Sequence, residues 1–362
     1  MSIRATIFTT LVLPLLVTIA CSSSKEEQSK TEHIQTLTKD FIFEDHRPFA
    51  QCHASTLVRT ADNQFLVAWF GGTHEKHDDV GIWLSKGNAF HWSDPRQVAK
   101  IRFEPHWNPV LHRTDNNDII LFFKVGKVID QWETWFIVSS DNGTTWSQPQ
   151  ELVKGDHGGR GPVRNKIIVL QDSTWLAPAS NELKGNWNAF VDRSTDRGKT
   201  WTTTSFLTYS KDSIPGEGII QPTLWQSADG SVHMLLRSSA GVICRSDSKD
   251  NGLTWSPVYK TQLPNPNSGI DLTQLSDGTL ALLYNRSGKN WGPRWPLAVA
   301  ASHDDGKTWP LTTDIEQGSG DDEFSYPAIV QYGDTLFASY TWRRQRIAFW
   351  SGIITKKNRE QN

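Results

Sequence analysis

Ser302-His303-Asp304-Asp305-Gly306-Lys307-Thr308-Trp309 is the last of four segments written on one template, Ser-x-Asp-x-Gly-x-Thr-Trp. The others are Ser139-Ser140-Asp141-Asn142-Gly143-Thr144-Thr145-Trp146, Ser194-Thr195-Asp196-Arg197-Gly198-Lys199-Thr200-Trp201 and Ser248-Lys249-Asp250-Asn251-Gly252-Leu253-Thr254-Trp255. A degenerate fifth lies at Ser85-Lys86-Gly87-Asn88-Ala89-Phe90-His91-Trp92, and successive tryptophans stand 54 or 55 residues apart. A period so regular marks a repeated architecture. Within each box the Asp accepts backbone N–H bonds in a tight turn and the Gly takes a positive φ. Thr and Trp open the next strand, with the indole packed under the turn. Turn chemistry therefore accounts for the acidic residues, and no metal is expected there.

Working outward, short apolar strands recur in one order between the boxes. His53 to Val58, Gln64 to Phe70 and Asp79 to Ser85 are followed by Asn108 to Leu111, Ile119 to Phe123 and Thr134 to Val138. Four strands in about 54 residues is the signature of a propeller blade. Residues 36–357 accommodate six such units. The last, from Ser325 to Ile354, has three strands and no box, so its outer strand is expected from Phe41-Ile42-Phe43-Glu44, closing the ring. The expectation is an all-β chain forming one six-bladed β-propeller with no second domain.

Composition narrows the function classes. With 37 Lys+Arg against 39 Asp+Glu, a formal charge of −2 and no Lys/Arg-dense run beyond the N-terminus, the chain is not built as a nucleic-acid binder. Aromatic residues make up 11% of it, which argues for a folded core. Arg4, the apolar stretch Ile7 to Val17 and Thr18-Ile19-Ala20-Cys21 look like a bacterial lipoprotein signal, cleaved before a lipidated Cys21. Residues 1–20 are then the signal peptide and 21–35 a flexible tether, in which Lys25-Glu26-Glu27 resembles a surface-export signal. The expected location is the bacterial cell envelope, anchored by lipid to the outer membrane and exposed at the surface, with no other membrane contact. Cys52 and Cys244 are the remaining cysteines, and spacing does not decide whether they pair. No organic cofactor or metal is called for.

Polar residues stand before the innermost strand of each unit: His53, Asn108, Asn165, Gln221, Asp271 and Tyr326. A ring that only had to pack would use apolar or small groups there, so this convergence marks a binding mouth.

The boxes in a six-bladed count resemble those of the sialidase (neuraminidase) superfamily over nearly all of residues 36–357. The resemblance implies three arginines for a sugar carboxylate, a Tyr nucleophile activated by Glu, and an Asp acid/base. The first arginine's position holds His53 within Cys52-His53-Ala54-Ser55-Thr56-Leu57. The second corresponds to Arg237 in Met234-Leu235-Leu236-Arg237, after Gln221-Pro222, where Gln221 replaces the activating Glu. Arg294 of Arg294-Trp295-Pro296 fits the third, with Arg286 as a rival, and Tyr326 fits the nucleophile. The acid/base falls in Thr73-His74-Glu75-Lys76-His77-Asp78-Asp79, which offers Glu75 or Asp79.

Two substitutions set the open questions. Neutral His lacks the fixed bidentate charge of Arg, and Gln221 does not take a proton from Tyr326. Glu217 and Glu323 are the nearest other carboxylates in sequence, and Arg343 or Arg344 of Trp342-Arg343-Arg344 can restore the missing cation. His106 is a further candidate at the mouth, and Trp107, Trp291 and Trp295 offer faces for sugar stacking. The leading reading is an exo-acting glycoside hydrolase that removes a terminal acidic sugar, sialic acid or a relative, from glycans. In it Arg237 and Arg294 hold the acid. A polysaccharide lyase using His53 and Tyr326 on uronate chains, and a non-catalytic glycan-binding propeller, are the alternatives.

Overall fold

The computed structural model describes Met1 and residues 31–357. The expected signal peptide past Met1, Cys21 and the tether as far as residue 30 lie outside the described residues.

Six four-stranded antiparallel sheets follow one another along the chain as the blades of a six-bladed propeller. Blade one is Gln51–Arg59, Phe65–Gly72, Gly81–Gly87 and Arg96–Ala99. The inner strands of blades two to six are His106–Arg113, Ile168–Val169, Ile219–Gln226, Asp271–Gln274 and Phe324–Tyr332. In the middle strands Phe65–Gly72, Leu280–Asn285 and Leu297–Ser302 every residue is buried. Each blade is covered on both faces by its neighbours, so these strands read as continuous apolar runs, not as alternation. One core cluster joins Leu66, Ala68 and Phe70 of blade one to Leu121 and Phe123 of blade two. Another joins Leu235 and Ile243 of blade four to Leu272 and Leu282 of blade five. Each such side chain contributes about 1.5–3 kcal/mol on burial, and the short outer strands, such as Thr202–Thr203, stay exposed.

The boxes lock these interfaces. Asp141 accepts from the Thr145 N–H at 2.8 Å, the Thr145 hydroxyl at 2.6 Å and the Ser139 hydroxyl at 2.8 Å. Gly143 has φ +81°, and a Cβ there would stand 2.4 Å from Cδ1 of Leu66 in blade one. The carboxylate is saturated by its own turn, as the sequence leads one to expect.

Ring closure differs from expectation. The outer strand of blade six is Thr31–Phe41, paired antiparallel with Arg346–Lys357, and only Phe41 of the expected Phe41–Glu44 segment belongs to it. The folded part therefore begins inside the stretch expected to be tether. Cys52 and Cys244 are both buried and free, in blades one and four.

Candidate functional site

One non-glycine residue with left-handed backbone stands at or just before the head of each inner strand. They are Ala54 (φ 57°), Asn108 (42°), Arg164 (79°), Gln221 (53°), Asn267 (61°) and Tyr326 (51°). At Ala54, Asn108, Gln221 and Tyr326 the strand is bulged, with register shifts between His53 and Thr56, Trp107 and Val110, Ile220 and Thr223, and Ser325 and Ala328. Bulges re-aim a side chain, and such strain persists where the surrounding structure enforces it.

Tyr326 sits among cations. The guanidinium carbons of Arg164, Arg237 and Arg294 lie 5.3, 5.7 and 5.4 Å from its ring centroid, and the His53 ring lies 4.2 Å away. Arg237 Nη1 donates to the Tyr326 hydroxyl at 2.6 Å and to Gln221 Oε1 at 3.2 Å, while its Nε donates to Asn267 Oδ1 at 2.7 Å. Its Nη2 makes no hydrogen bond among the described residues and is not sealed from solvent. Trp187 and Trp291 flank the same guanidinium at 5.1 and 5.6 Å. Every hydrogen-bond partner of Arg237 is neutral, so its charge is not cancelled at contact.

Glu323 organises the other side. Its Oε1 accepts from Arg294 Nη1 at 2.8 Å and from the Ser325 hydroxyl at 2.6 Å, and its Oε2 accepts from Arg344 Nε at 2.8 Å. Arg344 also pairs through Nη1 with Glu75. Burial by itself pushes the Glu323 carboxyl up, but the Arg294 and Arg344 guanidiniums hold it well below the usual carboxylate range. Burial, reinforced by Arg344, pushes His53 well below the ordinary imidazole value, so it is neutral at pH 7. Its Nδ1 stands 3.9 Å from Glu323 Oε1 and has no hydrogen-bond partner. Arg294 and Arg344 likewise leave Nη2 unpaired and open to solvent. Arg294 and Arg344 share Glu323, and Arg344 also takes Glu75, whereas Arg237 has no carboxylate in direct contact. The uncancelled charge of Arg237 favours an anionic ligand.

Several sequence candidates belong to the frame instead. Asp271 is buried, ion-paired with Lys166 at 2.7 Å and bonded to Thr223 and the Ile329 N–H, so it braces inner strands. Asn165 Nδ2 donates to the carbonyls of Gln221 and Pro222, both at 3.0 Å, which is again bracing. Arg343 pairs with Asp322 at 2.8 Å and stacks on Trp342, while Arg344 is the arginine that enters the cluster. Asp79 caps its own loop, accepting from the Thr73 hydroxyl at 2.6 Å and approaching His77 Nδ1 at 2.8 Å. Burial raises its carboxyl, but Thr73 and His77 outweigh this and hold it below the usual range. Arg286 is engaged by Asp314 at 2.6 Å, and Glu217 accepts from Trp291 Nε1 at 3.0 Å. His106 is held between the Glu104 carbonyl and the Ile101 N–H, and burial pushes it down to about 4. Trp107 is core, and Trp295 donates to the Gly320 carbonyl, which leaves Trp291, 54% exposed, as the open aromatic face of the three.

Asn108 heads blade two, and its side-chain amide makes no hydrogen bond among the described residues. Asn267, Trp187 and Glu182 escaped the sequence reading. Asn267 precedes its strand, and the other two lie on the blade-three hairpin, far in sequence from any inner strand.

Comparison with known proteins agrees with this geometry. The family model for the BNR repeat-like domain matches residues 63–338. A sialidase of Paraclostridium sordellii is 27% identical over 221 residues, 50% of this chain and 51% of that protein. The chain spans between a third and a half of the length of the curated sialidases it matches. Among solved structures, a protein of unknown function from Dyadobacter fermentans superposes with a TM-score of 0.74 at 14% identity, covering 89% of this chain and 99% of that one. The Hadza microbial sialidase Hz136 superposes at 0.71 with 16% identity, covering 88% and 68%. At these identities the superpositions speak to the fold. The repeat, the six blades and the matching family model together place this chain in the BNR repeat-like domain family of the sialidase superfamily.

Proposed function

We propose that the protein is an exo-acting glycoside hydrolase of the sialidase type that removes a terminal acidic sugar, sialic acid or a relative, from glycans. The observation that carries this reading is the guanidinium cluster. Arg237 and Arg294 lie over one tyrosine, Arg344 is joined to Arg294 through Glu323, and in each of the three Nη2 has no hydrogen-bond partner among the described residues and is open to solvent. Planar, permanently charged forks of this kind match a carboxylate. Arg344 supplies the cation that His53 does not.

Tyr326 is the group placed at the anomeric centre. Arg237 already donates to its oxygen, so the tyrosine's own proton is directed elsewhere. With the acid clamped, the phenolic oxygen stabilises the positive charge that develops on the sugar carbon as the glycosidic bond breaks. Gln221 holds Arg237 and carries no charge, so Tyr326 lacks a carboxylate beside it at that position. Trp291 offers an apolar face for a sugar ring. The same reading takes Cys21 as lipidated and the enzyme as tethered to a bacterial envelope, a location suited to glycan scavenging.

A second reading, a lyase on uronate chains, draws on the neutral His53 beside Tyr326, since a neutral imidazole is able to remove a proton α to a carboxylate. Incubation with sialylated and uronate-containing oligosaccharides, followed by mass analysis of the products, separates these readings. A free acidic sugar supports the hydrolase, an unsaturated fragment supports the lyase, and tight binding without product supports a glycan-binding propeller.

A further inference from the structure

Glycosidic cleavage requires a carboxylic acid that still holds its proton, and none of the three carboxyl groups of the 73–79 loop meets that need. Glu75 is committed to Arg344 by an ion pair, Asp78 is paired with Lys127, and Asp79 is tied to the Thr73 N–H and hydroxyl. A fourth carboxyl group, Glu182, stands on a different blade. Glu182 is the penultimate residue of the strand Trp175–Leu183 and pairs in register with Trp187, whose ring lies against Arg237. Its side chain lines a cavity of about 370 Å³ together with Lys76, Ile129, Asp130, Lys184 and Gly185. Blades one, two and three all contribute to that cavity, and Lys76 follows Glu75 in the 73–79 loop.

Resting on the glycosidase reading above, we propose that Glu182 is the proton donor to the leaving oxygen. As the bond from the anomeric carbon to that oxygen breaks, its electron pair stays with the oxygen, which takes the Glu182 proton. The carboxylate so formed then takes a proton from the water whose oxygen adds to the anomeric carbon. Glu182 returns to its acid form, and the substrate has gained one water. Glu75 is a positioning residue for Arg344.

The electrostatic surroundings agree with this assignment. Half-buried Glu182 has no salt-bridge partner among the described residues. Burial pushes its carboxyl above the ordinary range against the opposing pull of Arg237, a hydrogen bond with Trp187 and Lys76, with a smaller upward push from Glu75. Lys127, Asp130 and Lys184 are the remaining charged groups around the cavity. Lys127 is itself engaged by Asp78 at 2.8 Å.

The test compares Glu182→Gln and Glu75→Gln with the wild type on two substrates, one with a sugar leaving group and one with an activated aryl leaving group. Loss of a general acid lowers kcat by about 10²- to 10⁴-fold where the leaving group needs protonation. Glu182→Gln is expected to show that loss on the sugar substrate, to stay within about tenfold on the aryl substrate, and to lose the alkaline limb of the kcat profile. Glu75→Gln keeps that limb. A Glu182→Gln enzyme as active as the wild type on both substrates, or equally impaired on both with its alkaline limb intact, overturns the assignment. A wild type inert on every acidic glycoside contradicts the glycosidase reading instead. Infrared pH-difference spectra of wild type against Glu182→Gln test the group without turnover. A carboxylic acid persisting above the ordinary Glu value of about 4.3 supports the proposal, and ionisation at or below that value overturns it.

Discussion

Arg237 provides the sharpest perturbation. Its guanidinium is 3% exposed as a residue and is held by Asn267, Gln221 and the Tyr326 hydroxyl, all neutral, with Nη2 left for a ligand. A hydrogen bond to a charged group contributes about 1.5–3 kcal/mol, and each 1.4 kcal/mol is a factor of about ten. Arg237→Ala removes the bond to the sugar carboxylate and also releases the Tyr326 oxygen. The expected cost is about 10²- to 10³-fold in kcat/KM on an acidic glycoside. Arg237→Lys keeps the charge but not the fork that spans three acceptors, so it recovers at most about tenfold. Stability should fall by about 1–3 kcal/mol, because buried Asn267 and Gln221 lose their donor although no opposite charge is orphaned. Steady-state kinetics with a thermal melt of each variant decides the matter. A folded Arg237→Ala protein within about twofold of wild-type kcat/KM would refute the reasoning.

Two further outcomes follow from the same geometry. Tyr326→Phe keeps the ring that packs on His53 and loses only the oxygen, so product release should fall by at least about 10²-fold while a melt and ligand binding stay near wild type. Glu323→Gln leaves Arg294 and Arg344 without their shared anion, and urea unfolding should show a loss of about 3 kcal/mol. The folded Glu323 carboxyl is held down, so its contribution is present above the unfolded value of about 4.3 and is lost as pH falls through the folded one. The box carboxyls Asp196 and Asp304, held at about 2 by Thr200 and by Thr308 against burial, act in the same direction. Wild-type stability should therefore be flat from pH 7 to about 5 and decline below about 4, and Glu323→Gln should decline less steeply.

What the sequence disclosed follows the range of the physics involved. The boxes are local: Ser, Asp, Gly and Thr within a few residues settle each other's hydrogen bonds, as at Ser139, Asp141 and Gly143, so the repeat and blade count were readable. The closing strand was not, because Thr31–Phe41 lies on the outside of its sheet and shows little apolar pattern. At the mouth, Asn108, Gln221 and Tyr326 were found because they directly precede apolar strands. Left-handed backbone at Ala54 and Arg164 has no such signal, since these residue types seldom adopt it, and Asn267 stands four residues before its strand begins. The expectation therefore settled on neighbours, His53, Asn165 and Asp271. His53 nonetheless reaches Tyr326, while the other two brace the frame. Adjacent arginines pose the same difficulty: Arg343 and Arg344 differ only in which side of a turn they leave, and only contact with Glu323 against Asp322 tells them apart. Glu182 was invisible for a simpler reason, that its relation to Arg237 crosses from one blade to the next.

The central claim, hydrolysis of a terminal acidic sugar at the Arg237, Arg294, Arg344 and Tyr326 cluster, is tested most directly by running the reaction in heavy-oxygen water and weighing the products. The account predicts a free acidic sugar carrying one heavy oxygen from solvent, absent with Tyr326→Phe. An unsaturated, unlabelled fragment, or bound glycan with no product at all, would contradict it.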